Sequence, residues 1–234
     1  MAIGNLRGDR WSARDAETSA VRAARQSCML DAPARRRLNR AMKLSPSTLT
    51  RADQLALLET AKDRPREALF VSLALGTGLR LAELVGLDLG DVYVAGGQPR
   101  VRIRLRAEIA KRGRVGDVFL PDALRPKLER FWAHKVASRE CVDPTAALFC
   151  SQNRRRISKR RVQVLFRELQ VQAGFDRLYP FHALRHTAIT NVYRASKDLF
   201  LAQRFARHAS PLTTVIYTHA SDEDLLEGVR GLPC

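Results

Sequence analysis

The stretch Phe181-His182-Ala183-Leu184-Arg185-His186-Thr187 organises the reading of this chain. If the run 181–193 is a helix, His182 and Arg185, three residues apart, share one face. That face then carries an imidazole able to move a proton and a guanidinium with a fixed fork of N–H donors. Such a pair suits an anionic oxygen centre, a phosphodiester for example. A surface histidine beside a solvated arginine has the same spacing, so the rest of the chain must decide between the two.

Working outward, Arg80 follows Gly76-Thr77-Gly78 and begins a short predicted helix. Helix N-termini and arginines both attract phosphate oxygens. Glu83, three residues on, can orient the Arg80 guanidinium. Towards the C-terminus stand His208 and Tyr217. A phenol with a pKa near 10 is a poor nucleophile until cations or a base favour the phenolate. Arginines and histidines gathered round one phosphate supply such a field, and they stabilise charge building on a pentacoordinate phosphorus.

Charge supports a polyanionic partner. Lys and Arg number 41 against 24 Asp and Glu, a formal net charge of +17, which points first to nucleic acid and second to an anionic membrane surface. No apolar run approaches the roughly 18 residues of a membrane span, and no secretory signal opens the sequence. Cys28, Cys141, Cys150 and Cys234 form no C-x-x-C pair and have no histidine at metal-ligand spacing, so they read as reduced thiols in a cytosol.

The pattern along the chain is mostly helical. Residues 1–43 read as a basic arm, partly helical (13–27, 33–41) or disordered, with Arg35, Arg36 and Arg37 able to contact DNA. Residues 44–234 read as one domain. Thr50 and Asp53 predict a capped helix start, and Pro65 opens the next helix. Period-two apolar spacing predicts three strands near 92–94, 101–105 and 115–120, turning at Gly96-Gly97 and at the basic tip Lys111-Arg112-Gly113-Arg114. Leu124, Leu128, Phe131 and Trp132 mark a helix. Arg154, Arg155, Arg156, Lys159, Arg160 and Arg161 form the densest charge run. Ser158 caps the helix after it, with Val162, Val164, Leu165, Leu169 and Val171 expected inward; this helix is the candidate for groove contact. Helices over 197–207, 211–217 and 221–229 complete a fold that is mainly α with a small antiparallel β-sheet, an α+β class.

Three separated motifs, Gly76-Thr-Gly-Leu-Arg80-Leu-Ala-Glu83, His182-Ala-Leu-Arg185-His-Thr187, and His208 with Tyr217-Thr-His219, resemble the signature of the tyrosine recombinases, the phage-integrase family. The resemblance spans about 44–229. It implies that Tyr217 attacks a scissile phosphate of duplex DNA, forming a 3′-phosphotyrosyl link and releasing a 5′-hydroxyl. Arg80 and Arg185 would hold the non-bridging oxygens, His182 would assist proton transfer from the tyrosine, and His208 would hydrogen-bond the phosphate. Lys111 would protonate the leaving oxygen. No metal or cofactor is implied. His186 and His219 count only as neighbours of the motifs. The family commonly carries an N-terminal clamp domain, for which the segment before Leu44 is too short. The C-terminal helix would pack on a neighbouring subunit, giving dimers and then tetramers on DNA in a bacterial cytoplasm, at the nucleoid. A catalytically silent DNA-binding regulator and a type IB topoisomerase-like relaxing enzyme stand as alternatives. The family usually has glycine where Arg207 precedes His208. If that backbone is left-handed, the side chain costs about 1 kcal/mol.

Overall fold

The computed structural model describes residues 47–113, 115–217 and 230, without the side chain of Arg112. The expected helices at 13–27, 33–41 and 221–229, the arm arginines and Arg114 lie outside the described residues, which fall within one unit, Pro46–Cys234. Thr50 starts α1 (Arg51–Ala61): its hydroxyl accepts from the Asp53 N–H at 3.1 Å, while the Asp53 carboxylate accepts from the Thr50 N–H at 2.9 Å. These reciprocal bonds satisfy two donors that a helix start leaves unpaired. Pro65 opens α2 (Pro65–Thr77), at a position where a missing N–H costs nothing. With Leu69, Phe70, Val71, Leu73 and Ala74 all buried, α2 lies in the core. Gly78 stops it at φ 59, its N–H donating to the Ala74 carbonyl.

α3 (Leu81–Gly86) and α4 (Leu89–Val92) follow. The strand expected at 92–94 is absent. Asp88 and Asp91 close a helical turn, the Asp91 carboxylate accepting from the Asp88 N–H at 2.8 Å, so Leu89 and Val92 are buried from a helix. Only an isolated Tyr93–Pro99 bridge remains of that strand pairing. The sheet is therefore two-stranded: β1 (Arg102–Leu105) and β2 (Gly116–Phe119) run antiparallel with Ile103 opposite Val118. Ile103, Leu105 and Val118 face the core, whereas Val101 and Val115 precede the paired segments and are exposed.

α5 (Arg125–Ala137) buries Leu128 and Phe131, with Trp132 partly covered. Ser158 caps α6 (Lys159–Gln172), its hydroxyl accepting from the Arg161 N–H. The inward face of α6 is Val162, Leu165, Phe166, Leu169 and Gln170. Val164 and Val171, expected inside, are 40% and 62% exposed. Each sits two residues on from a buried position, about 200° round the helix, which turns it to solvent. α7 (His182–Ser196) packs on α2, and α8 (Leu199–Ala206) packs on α7. The Asp198 carboxylate caps α8. α9 (Leu212–Val215) is short. The ring of Phe181, just before α7, lies 5.3 Å from Phe166 and 6.2 Å from Phe70. That aromatic cluster anchors the end of α7 from which His182 and Arg185 project.

Candidate active site

Four separate pieces of chain meet at the exposed end of this core. The left-handed turn at Gly78 aims its carbonyl at α7, where it accepts from Arg185 Nη1; the Ala206 carbonyl, at the end of α8, accepts from Nη2. Arg185 is buried and held from two sides. Burial, then the charges of Arg80 and Arg207, push its pKa down to about 9, so it remains a cation at neutral pH.

Arg80 is held by Glu83, which is 1% exposed. Glu83 Oε1 accepts from Arg80 Nη1 at 2.7 Å, and Oε2 accepts from the Arg80 N–H at 2.9 Å. Oε2 also accepts from Arg207 Nη2 at 2.7 Å. Burial alone would raise the Glu83 pKa, but the Arg207 charge and the Arg80 bonds outweigh it and hold the carboxyl below its ordinary value. One carboxylate thus fixes two guanidinium groups. Arg207 is left-handed, φ 54 and ψ 44, and ends α8 with its N–H donating to the Arg204 and Gln203 carbonyls.

A cavity of about 430 Å³ is lined by Arg80, Glu83, Lys111, Arg207, His208 and Thr213 among others. Lys111 approaches it from the 3₁₀ turn Lys111–Gly113 between the strands. His208 Nδ1 lies 2.9 Å from the Thr214 hydroxyl, and its ring stacks against Tyr217 at 6.4 Å. Tyr217 is 6% exposed and packs with Ile189, Ala202 and Ala206. Burial raises its pKa despite the lowering charges of Arg185 and Arg80.

The Tyr217 hydroxyl meets His186, not His182. His186 Nδ1 lies 2.5 Å from the phenol oxygen, and the His182 ring stands edge-on to His186 at 4.6 Å. His182 is exposed at the residue level. Desolvation, then Arg185, Arg80 and Lys111, lower its pKa. From the sequence His186 counts only as a neighbour of the motif; its four-residue step from His182 is what places both rings on one face of α7.

The structure thus brings together Arg80, Lys111, His182, Arg185, His208 and Tyr217. Among the proposed DNA contacts, Arg154, Arg155, Lys159, Arg160 and Arg161 are exposed. Arg156 is exposed as well, but its guanidinium turns back onto the chain, donating to the Val85 and Leu87 carbonyls at 3.0 and 2.9 Å and pairing with Asp88. It ties the turn before α6 to the end of α3. No helix among the described residues is long and apolar enough to cross a membrane.

Residues 47–224 match the model of the phage integrase family, and the chain belongs to that family. Tyrosine recombinase XerC of Caldanaerobacter subterraneus subsp. tengcongensis is 31% identical over 172 residues, covering 73% of this chain and 46% of the relative. Tyrosine recombinase XerC of Vibrio cholerae is 32% identical over 192 residues, 80% of this chain and 58% of the relative. The chain spans about half the length of the curated relatives it matches. The crystal structure of XerA recombinase superposes with a TM-score of 0.66 at 28% identity, covering 81% of this chain and 66% of the other. XerH recombinase bound to its difH substrate shares the fold, with a TM-score of 0.64 at 24% identity over 79% of this chain and 54% of that one.

Proposed function

We propose that this protein is a site-specific DNA recombinase that cleaves and rejoins duplex DNA through a 3′-phosphotyrosyl intermediate. The observation that carries this reading is the convergence of Tyr217 with Arg80, Arg185 and His208 from four parts of the chain. In this reading the Tyr217 oxygen attacks the scissile phosphorus while the bond to the 5′-oxygen breaks. Arg80, held by Glu83, and Arg185, held by two carbonyls, meet the non-bridging oxygens with donors already oriented, so little reorganisation is needed as charge develops. His208 adds a hydrogen bond to the phosphate. His182 stands by the same phosphate, and Lys111 at the cavity rim protonates the leaving 5′-oxygen. The covalent link conserves bond energy for rejoining, so the reaction draws on no cofactor.

DNA would lie across the exposed basic surface of Arg154, Arg155, Lys159, Arg160 and Arg161, and Arg112 and Arg114, next to Lys111 in the sequence, would add contacts. The same reading places the enzyme on bacterial cytoplasmic DNA. For assembly, a second cavity of about 680 Å³ between β2 and α8 is lined by Val118, Phe119, Leu201 and Phe205 with Arg102 and Arg204. Its apolar floor and basic rim suit the terminal segment 221–229 of a second copy, which carries Leu225, Leu226 and Val229 among Asp222, Glu223 and Asp224. Sedimentation on a paired site should show dimers and tetramers with the native chain and monomers with Leu226→Asp.

The deciding experiment uses a nicked suicide duplex carrying candidate sites. A covalent protein–DNA adduct on a denaturing gel is expected with the native chain and none with Tyr217→Phe. An adduct that persists in Tyr217→Phe would exclude this nucleophile.

A further inference from the structure

We propose that His186, and not His182, accepts the proton of the Tyr217 hydroxyl during cleavage; this rests on Tyr217 being the nucleophile. The two groups come from segments 31 residues apart, yet Nδ1 sits 2.5 Å from the phenol oxygen. The rings are inclined by 36° with centroids 5.6 Å apart, so the imidazole edge faces the hydroxyl rather than stacking on it. Among the described residues His182 has no hydrogen bond to Tyr217. Its ring instead stands edge-on to His186 at 4.6 Å, one helical turn earlier on α7.

The groups facing His186 are His182 and Arg185 from its own helix, and Tyr217 and His208 from the segment after α8. Burial, then His182 and Arg185, hold the His186 pKa down to about 4. At neutral pH its ring is therefore uncharged, and with the proton on Nε2 the Nδ1 lone pair is open to the phenol. Burial also keeps Tyr217 a phenol in the free protein. The proton stays put until a DNA phosphate arrives, and that phosphate's negative charge favours the imidazolium. The tyrosyl O–H bond then breaks as the O–P bond forms, and the proton passes to Nδ1. The P–O5′ bond breaks at the same centre, and its oxygen takes a proton from Lys111. In rejoining, the imidazolium returns its proton to the departing phenol oxygen.

The test measures single-turnover adduct formation on the suicide duplex. His186→Asn keeps an acceptor near the hydroxyl but cannot take a proton, and the expected loss is about 10²-fold, at the low end for a general base. Site-specific replacement of Tyr217 by a fluorinated tyrosine of lower pKa should restore most of that loss in the His186→Asn background and change the native rate little. His186→Ala, should the asparagine variant fold poorly, should recover activity with added imidazole. DNA affinity should hold in both variants. A native rate in His186→Asn, a faster rate in His186→Ala, or a defect that neither fluorotyrosine nor imidazole relieves would overturn the proposal. Failure of the nucleophile assignment would show separately, as adducts formed by Tyr217→Phe.

Discussion

Arg207 presents two opposing energies at one residue. Its backbone is left-handed, φ 54, where a Cβ crowds the following carbonyl. Its side chain is 13% exposed and reaches a nearly buried Glu83 at 2.7 Å. β2 lies close over the stem: a Cβ built on Gly116 would come within 3.1 Å of Arg207 Cδ. Comparing Arg207→Ala with Arg207→Gly separates the two. Both remove the ion pair, whose loss should cost about 1.5–3 kcal/mol, the range for a hydrogen bond to a charged group. That estimate lies below the 3–5 kcal/mol of a buried pair broken outright, because Glu83 keeps both Arg80 bonds. Only the glycine variant relieves the backbone, by about 1 kcal/mol. The expected order of stability is native, then Arg207→Gly, then Arg207→Ala. The two variants should be about 2–4 °C apart in Tm. Urea unfolding with an unchanged m-value is the assay. Equal stabilities for the variants would refute the left-handed strain. A glycine variant above the native chain would show that the Glu83 pair contributes less than the backbone strain of about 1 kcal/mol.

Three further outcomes follow from the same geometry. His186 and His208 both have folded pKa values lowered to about 4 by burial and neighbouring cations, against an ordinary 6.5. The unfolded chain then binds more protons between those values, so stability should fall as pH drops from about 6.5 towards 4; urea midpoints across that window that stay flat in the native chain but not in a His186→Ala, His208→Ala variant would contradict this. Gly78→Ala forces a side chain into φ 59 with its Cβ 3.0 Å from the Phe205 ring and displaces the carbonyl that holds Arg185. It should lower stability by at least about 1 kcal/mol and slow adduct formation more than it weakens DNA binding, as a filter-binding titration beside the adduct assay would show. Arg156→Ala should cost stability without changing the salt slope of DNA affinity, whereas Arg155→Ala should reduce that slope by about one unit while leaving the fold intact.

Much of this architecture follows from local chemistry, which is why it could be read in advance. Thr50 with Asp53, Pro65, Gly78 and Ser158 act within one helical turn, and each starts or stops a helix where expected. The missing third strand shows the limit. Val92 and Val94 alternate like a strand, but the Asp88–Asp91 pairing favours a turn of helix, and two apolar residues cannot outweigh it. Val164 and Val171 show another: apolar type was taken for burial, but helical phase decides which residues face inward.

The sequence by itself determined the order and spacing of the arginines, histidines and tyrosine, the helical class and the excess of positive charge, because these depend on residue identity and short-range periodicity. Only the tertiary structure decided that His186 rather than His182 meets Tyr217, that Glu83 ties Arg207 as well as Arg80, and that Arg156 serves the fold. Each of those contacts joins segments distant along the chain, and its existence depends on the angle and depth at which α7, α8 and the sheet pack, which no local pattern specifies.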